Sequence, residues 1–419
     1  MAGRLMGRLL VGKCAVAKAT AALCLVLVIV ESDAFAEELE EERAAAYMEL
    51  GRIQYSQSEF RDAVASFGKA VEELERAHDP SAIKLLGPLT SLGEAQMATG
   101  AFDEAGQSFG RAASIARRDG GVHDPRQQVP LERMAEAQAL GGDLTGALGS
   151  LKYLERVSEA TNGRRSKVHG VALSDIAERQ CQYGFFFDGR GRHRDAVDIL
   201  ASASAGTTEH IDALRAVARC NLHELSFLGI VTRAAPPARA TGSGRPQSFN
   251  ADSTSFRLRV ARLMRRESEQ ALVQAAQLAL ASPTMSPGDK VDVLLEAGDW
   301  FQMKDHARTA RAYYLQALQL TGAESRLAQP VLLLYSTPPM ALSNPAQADT
   351  KQDARSVLVE FEVRSDGRVH SERVIDRHAT KSMVDETLSA LQAARYRPRF
   401  AEGKPQDTPA VTYRQLFVQ

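Results

Sequence analysis

Aromatic side chains are scarce in this chain: they make up 6% of its 419 residues, tryptophan occurs once, and cysteine occurs four times. A large sheet is built from β-branched and aromatic residues, so this shortage, set beside plentiful alanine, favours close-packed helices. Four cysteines cannot make a disulfide scaffold, and stability must come from packing. Bulk charge is missing too. With 51 basic against 52 acidic residues, no field draws in a nucleic acid, and no nucleic-acid partner is expected. Long apolar runs are confined to the N-terminus. There Ala19 to Val30 gives about 12 apolar residues, short of what about 30 Å of hydrocarbon requires.

That run follows Arg4, Arg8, Lys13 and Lys18 and precedes Ala34-Phe35-Ala36, a small-x-small cleavage site, so residues 1–36 read as a signal peptide cut before Glu37. A retained membrane anchor is the other reading, since Val11 to Ala17 is also mostly apolar. Leu23 is too large for a lipid attachment site at Cys24. Cleavage leaves Cys181 and Cys220, 39 residues apart, either as a disulfide between neighbouring helices or as two small buried side chains.

What the chain does contain is a repeat. Leu92 to Ala112 reads as two amphipathic helices joined at Gly100, with Gly93, Ala105, Phe109 and Ala112 at their contact. Small residues let antiparallel helices approach, and the aromatic fills what remains between them. Gly51 with Ala63, Phe67 and Ala70, and Ala135 with Ala147, Leu151 and Leu154, repeat the pattern at 42-residue intervals. Ala177 continues the register, with its second helix expected at Asp195 to Ala203, displaced by a loop. Gly298, Phe301, Ala310, Tyr314 and Ala317 form a later copy. The pattern resembles the tetratricopeptide repeat (TPR) with lengthened helices, and the resemblance implies a right-handed α-solenoid whose units stack in groups of about three or more.

The expected boundaries follow from composition. Helical repeats occupy 37–230, a Pro/Gly/Ser-rich loop 231–255, further repeat helices with an arginine-rich face 256–325, and a linker 326–355. From 356 to 419 the period changes from 3.6 to 2. Ser356 to Val363 alternates, Ser365-Asp366-Gly367 turns into a second strand, an amphipathic helix spans Ser382 to Ala394, and a final strand runs from Ala410 to Val418. The expected fold class is therefore mostly α, an α-solenoid followed by a small α+β domain of β-β-α-β order.

The Ser-Asp-Gly-Arg-Val turn and the Arg395-Tyr-Arg-Pro398 segment after the helix resemble the C-terminal domain of the TonB energy-transducer family. The resemblance implies an envelope domain that pairs by strand addition, and it makes Val411, Tyr413, Gln415 and Phe417 of the last strand candidate partner-binding residues. Arg395, Arg397 and Arg399 alternate and, if extended, share a face that would suit cell-wall carboxylates or an acidic partner. No Pro-Glu or Pro-Lys spacer and no histidine in the N-terminal run accompany the domain, unlike an energy transducer.

Catalytic motifs are present only as fragments. His223-Glu224 begins a zinc-protease string, but Phe227 stands where the second histidine belongs. Ser81 and Lys84 have a serine-lysine nucleophile spacing without its companions. Gly189-Arg-Gly191 lacks the third glycine of a dinucleotide loop, and Gln182 to Phe187 is an aromatic cluster at a helix end. The expectation is a non-enzymatic periplasmic scaffold without cofactor or metal. Its partner would be an envelope protein or peptide, with an outer-membrane receptor or peptidoglycan as candidates. The alternative is an inner-membrane-anchored TonB-type energy transducer.

Overall fold

A computed structural model describes residues 37–227, 251–320, 323–334 and 355–417. The expected signal peptide (1–36), residues 231–250 of the first linker and most of the second fall outside the described residues. The chain divides into two compact units at Arg164/Arg165.

The first unit holds three antiparallel helix pairs. They are α1 (37–56) with α2 (Phe60–Ala77), α3 (Leu86–Thr99) with α4 (Phe102–Gly120), and α5 (Gln128–Leu140) with α6 (Leu144–Asn162). The second helix of each pair starts at the same phase of the 42-residue register, and Phe67, Phe109 and Leu151 are buried against the first. Glycine at 93 is a packing requirement, since a Cβ there would lie 2.7 Å from the Phe109 ring. Each intra-pair turn carries one left-handed residue, Ser58, Gly100 or Gly142 (φ 65°, 81° and 90°). A side-chain rung fastens each pair: the hydroxyls of Ser66, Ser108 and Ser150 donate to Gln54, Gln96 and Gln138 at 2.7, 2.8 and 2.8 Å. Between pairs, Asp124 caps the 3-10 turn Pro125–Gln127 through the Arg126 amide, so the Asp-Pro signal marks a restart.

The second unit begins with α7 (Lys167–Gln182) and α8 (Phe186–Ala203), then α9 (Thr208–Phe227) with α10 (Ala251–Ala281), and α11 (Pro287–Met303) with α12 (Ala307–Leu318), followed by the short α13 (Ala323–Leu327). The expected displacement of the fourth repeat is corrected here. Helix α8 is continuous and starts in register at Phe186, with His193 buried in the slot that holds Phe109 and Leu151 in earlier repeats. Similarly, α10 begins at Ala251, inside the stretch expected to be loop.

The C-terminal domain is richer than β-β-α-β. Strands β2 (Arg355–Val363), β3 (Val369–His378) and β7 (Thr408–Phe417) form an antiparallel sheet in the order β3-β2-β7. Helix α14 (Lys381–Ala393), capped by the Thr380 hydroxyl, buries Met383, Val384 and Leu391 with Val357, Val359, Phe361 and Val363 of the sheet. Between them lie β4 (Arg395–Arg397) and the β5–β6 hairpin (Arg399–Ala401, Lys404–Gln406). Strand β1 (Val331–Leu334), from the expected linker, pairs antiparallel with β4. Among the described residues, no helix is long and apolar enough to cross a membrane.

Candidate functional site

Pairing of β1 with β4 draws the α+β domain onto the last helix pair, and charge fixes it there. Arg397 makes a two-pronged contact with Asp299 of α11, Nε to Oδ1 at 2.8 Å and Nη2 to Oδ2 at 2.5 Å. Arg395 grips Asp305 in the same way at 2.6 and 3.0 Å, and Arg368 adds a third guanidinium at 3.3 Å. Asp305 occupies the turn between α11 and α12 with φ 62°, which presents its carboxylate to the domain. Hydrogen bonding from Arg395 holds that carboxyl below its ordinary range, against an opposing effect of burial. Burial would lower the Arg397 pKa, but Asp299 outweighs it and keeps the charge. Tyr314 donates to the same carboxylate at 2.9 Å and meets the edge of Phe400 with ring centroids 5.6 Å apart.

A backbone contact completes the docking. Gln302 Nε2 donates to the Asp366 carbonyl at 2.5 Å, and the Gly367 carbonyl accepts from the Tyr396 amide at 2.9 Å. Gly367 has φ 81°, and a Cβ there would overlap both the Tyr396 carbonyl and the Gln302 side chain. The glycine of the Asp-Gly turn therefore serves the approach of the domain as well as the turn itself.

Docking leaves a groove of about 700 Å³ between α9 and α11, walled at one end by Leu332, Leu333 and Arg397 of the C-terminal domain. Its floor is apolar, with Leu222, Leu272, Leu295 and Trp300. Its rim is charged and internally balanced: Arg215 pairs with Glu296 and Asp212, and Arg326 with Asp292. An apolar floor inside a polar rim suits a peptide side chain better than a small charged metabolite.

The residues singled out in the sequence fall into two groups. Arg395, Arg397 and Arg399 are extended and alternate with the buried Tyr396, Pro398 and Phe400, and each is half-buried. Arg395 and Arg397 are engaged by Asp305 and Asp299, which corrects their assignment to an external partner. Strand β7 is an outer strand of its sheet, as a strand-addition site requires, yet Val411, Tyr413, Gln415 and Phe417 are half-buried to buried. Val411, Tyr413 and Phe417 pack with the core, so the exposed side chains of β7 are those of Pro409, Ala410, Thr412 and Arg414. Sequence reasoning missed Asp299 and Asp305, which stand as isolated carboxylates after Gly298 and Lys304 and give no pattern of their own, and it missed β1.

The remaining candidates resolve into structure. Cys181 of α7 and Cys220 of α9 are joined as a disulfide with Cα atoms 5.4 Å apart. The Ser81 hydroxyl is bonded to Asp79, and Lys84 reaches Glu41 at 2.5 Å, so neither serves the other. Glu224 faces Arg190 at 3.1 Å in place of a metal, and burial raises its pKa. Phe187, in the aromatic cluster, is 86% exposed. Among the described residues two groups hold potential metal ligands. One is exposed, Glu37 and Glu41 with His78, and the other is the buried trio Cys181, His193 and Cys220.

Paired helices in a 42-residue register, with a small α+β domain docked on the last pair, define a TPR-like helical-repeat protein with a C-terminal appendage. The appendage is similar to the TonB C-terminal domain: residues 341–415 match the family described as Gram-negative bacterial TonB protein C-terminal. Similar solved structures include a Podosopora anserina putative kinesin light chain with TPR-like repeats. It is 16% identical with a TM-score of 0.39, and the match covers 45% of this chain and 90% of that one. BtubC from P. vanneervenii is 13% identical with a TM-score of 0.42, over 62% of this chain and 90% of that one. The apo form of RapI is 12% identical with a TM-score of 0.35, over 66% and 96%. Among curated proteins nothing matches the chain.

Proposed function

We propose that this chain is an exported, non-enzymatic adaptor of the Gram-negative periplasm. It holds a peptide or protein segment in the α9–α11 groove and receives a strand from an envelope partner at β7. The observation that carries this reading is the position of β7, ten residues long and outermost in the order β3-β2-β7. An outer strand offers backbone donors and acceptors on one side, which is what strand addition uses. The groove beside the docked domain supports a second contact on the same unit, and the N-terminal pattern supports export.

A photo-crosslinking side chain placed at Thr412 of β7, at Glu372 of the opposite outer strand β3, or at Met303 in the groove tests the assignment in the full-length chain expressed in a Gram-negative host. Adducts from Thr412 and Met303 but not from Glu372, with the mature terminus at Glu37 in the soluble periplasmic fraction, are expected. Equal adducts at Thr412 and Glu372, or none at Thr412, would remove β7 from the mechanism.

A further inference from the structure

His193 is the residue this fold does least to explain. In the register its slot is apolar, filled by Phe67, Phe109 and Leu151 in the first three repeats and by Tyr314 in the last. Here an imidazole is fully buried, and among the described residues neither ring nitrogen has a hydrogen-bond partner. Leaving such a group unsatisfied is unfavourable, and a leucine in the same slot would avoid the cost.

The surroundings are specialised as well. Gly189, one turn earlier on α8, takes the place of the alanine found at 63, 105 and 147, and a Cβ there would overlap the Cys181 sulfur. The ligand atoms of Cys181, His193 and Cys220 all lie within 4.8 Å of one another. His193 Nε2 is 3.9 Å from Glu178 Oε2, another buried atom without a hydrogen-bond partner. Two sulfurs and one imidazole, drawn from three helices with a carboxylate behind the imidazole, supply three donors of a tetrahedral thiophilic site and a group to orient one of them.

We propose that the dithiol form of this chain binds one zinc-class ion through Cys181, Cys220 and His193, with Glu178 orienting the imidazole, and that the disulfide and the metal are alternative closures of one site. Reduction of the disulfide takes two electrons and two protons from a dithiol, which is itself oxidised to a disulfide. Metal binding then releases the two thiol protons, and both sulfurs ligate as thiolates. Nothing in this assignment depends on the groove or on β7.

The probe is Co²⁺, titrated anaerobically into the full-length chain after reduction by a phosphine, which takes oxygen from water as the disulfide opens to two thiols. One equivalent binding with sulfur-to-cobalt charge-transfer absorption, displaced by Zn²⁺ and missing from the oxidised chain, is expected. His193→Leu, which imports the residue of the preceding repeat, should weaken Co²⁺ binding about tenfold or more while leaving the oxidised chain folded by circular dichroism. In the unsubstituted reduced chain, Zn²⁺ should also slow alkylation of both thiols. No charge-transfer band in the reduced chain, equal affinity in His193→Leu, or a reduced chain that loses its helix content and does not regain it with Zn²⁺ would overturn the proposal.

Discussion

Single residues decide how the last helix pair carries charge. Asp299 and Asp305 are the residues on which Arg397 and Arg395 converge, and the two-pronged geometry makes them specific where a lone surface pair would not be. Lys304, beside them, has no such partner. Its ammonium lies 5.0 Å from the centre of the Trp300 ring, and burial, with Arg265 nearby, lowers its pKa from 10.5 to about 8 against a weaker opposing effect of Glu269. Between pH 8 and 10.5 the unfolded chain therefore holds a proton that the folded chain has released, and stability rises with pH across that window. Lys304→Met is expected to exceed the unsubstituted chain in stability at pH 7 by about 1–3 kcal/mol, with the gap closing toward pH 10.5. Urea unfolding followed by the fluorescence of Trp300, the one tryptophan, measures it. A gap that does not change with pH would mean that burial of the charge is not what Lys304 costs.

At the scale of elements, the helix pair is a fit between a small residue on one helix and a large one on the next. Gly93 under Phe109 and Ala135 over Leu151 are two solutions of the same volume, and exchanging half of one is unfavourable. Gly93→Ala forces its Cβ to within 2.7 Å of the ring and should cost about 1–3 kcal/mol. Adding Phe109→Leu imports the pair of the third repeat and should restore about half of that loss or more. Thermal melts of the two variants and the double variant test this, and strict additivity would show that the contact is not a fitted pair. This element was legible because its small and large residues recur locally. The Gln54–Ser66, Gln96–Ser108 and Gln138–Ser150 rungs recur at the same interval and were readable in principle, although polar residues on a helix ordinarily pass for solvated ones. Helix α8 was misplaced for the opposite reason. His193 broke the apolar pattern, and Gly189 and Gly191 imitated a turn while sitting inside the helix. The edge role of β7 was expected only through the family resemblance, and which of its side chains face inward depends on the register with β2, where Val359 stands opposite Tyr413.

For the second compact unit as a whole, the consequence is that the TonB-like C-terminal domain belongs mechanically to the last repeat. No local pattern in the sequence announces this, because Arg397 meets a partner 98 residues away and Arg395 one 90 residues away. Terminal repeats of a solenoid need a polar or covered outer face, and here β1, β4 and the Phe400 edge supply the cover for α11 and α12. Cover and groove are then linked, since Leu332, Leu333 and Arg397 wall the cavity whose floor includes Trp300. Whatever frees the domain also opens that wall, and whatever fills the groove against it strengthens docking by the same free energy. Replacing both anchors, Asp299→Ala with Asp305→Ala, leaves the guanidinium groups of Arg397, Arg395 and Arg368 without these carboxylates and should weaken docking by about 3–5 kcal/mol. In the unsubstituted chain, amide hydrogens of β2 and α14 should exchange with the same opening free energy as those of α11. In the double variant the domain should exchange as a separate, less protected body while α7 and α8 keep their protection. Loss of protection throughout α7 to α12 would show that the aspartates serve the helices rather than the docking, and unchanged exchange would show that β1–β4 pairing alone holds the domain.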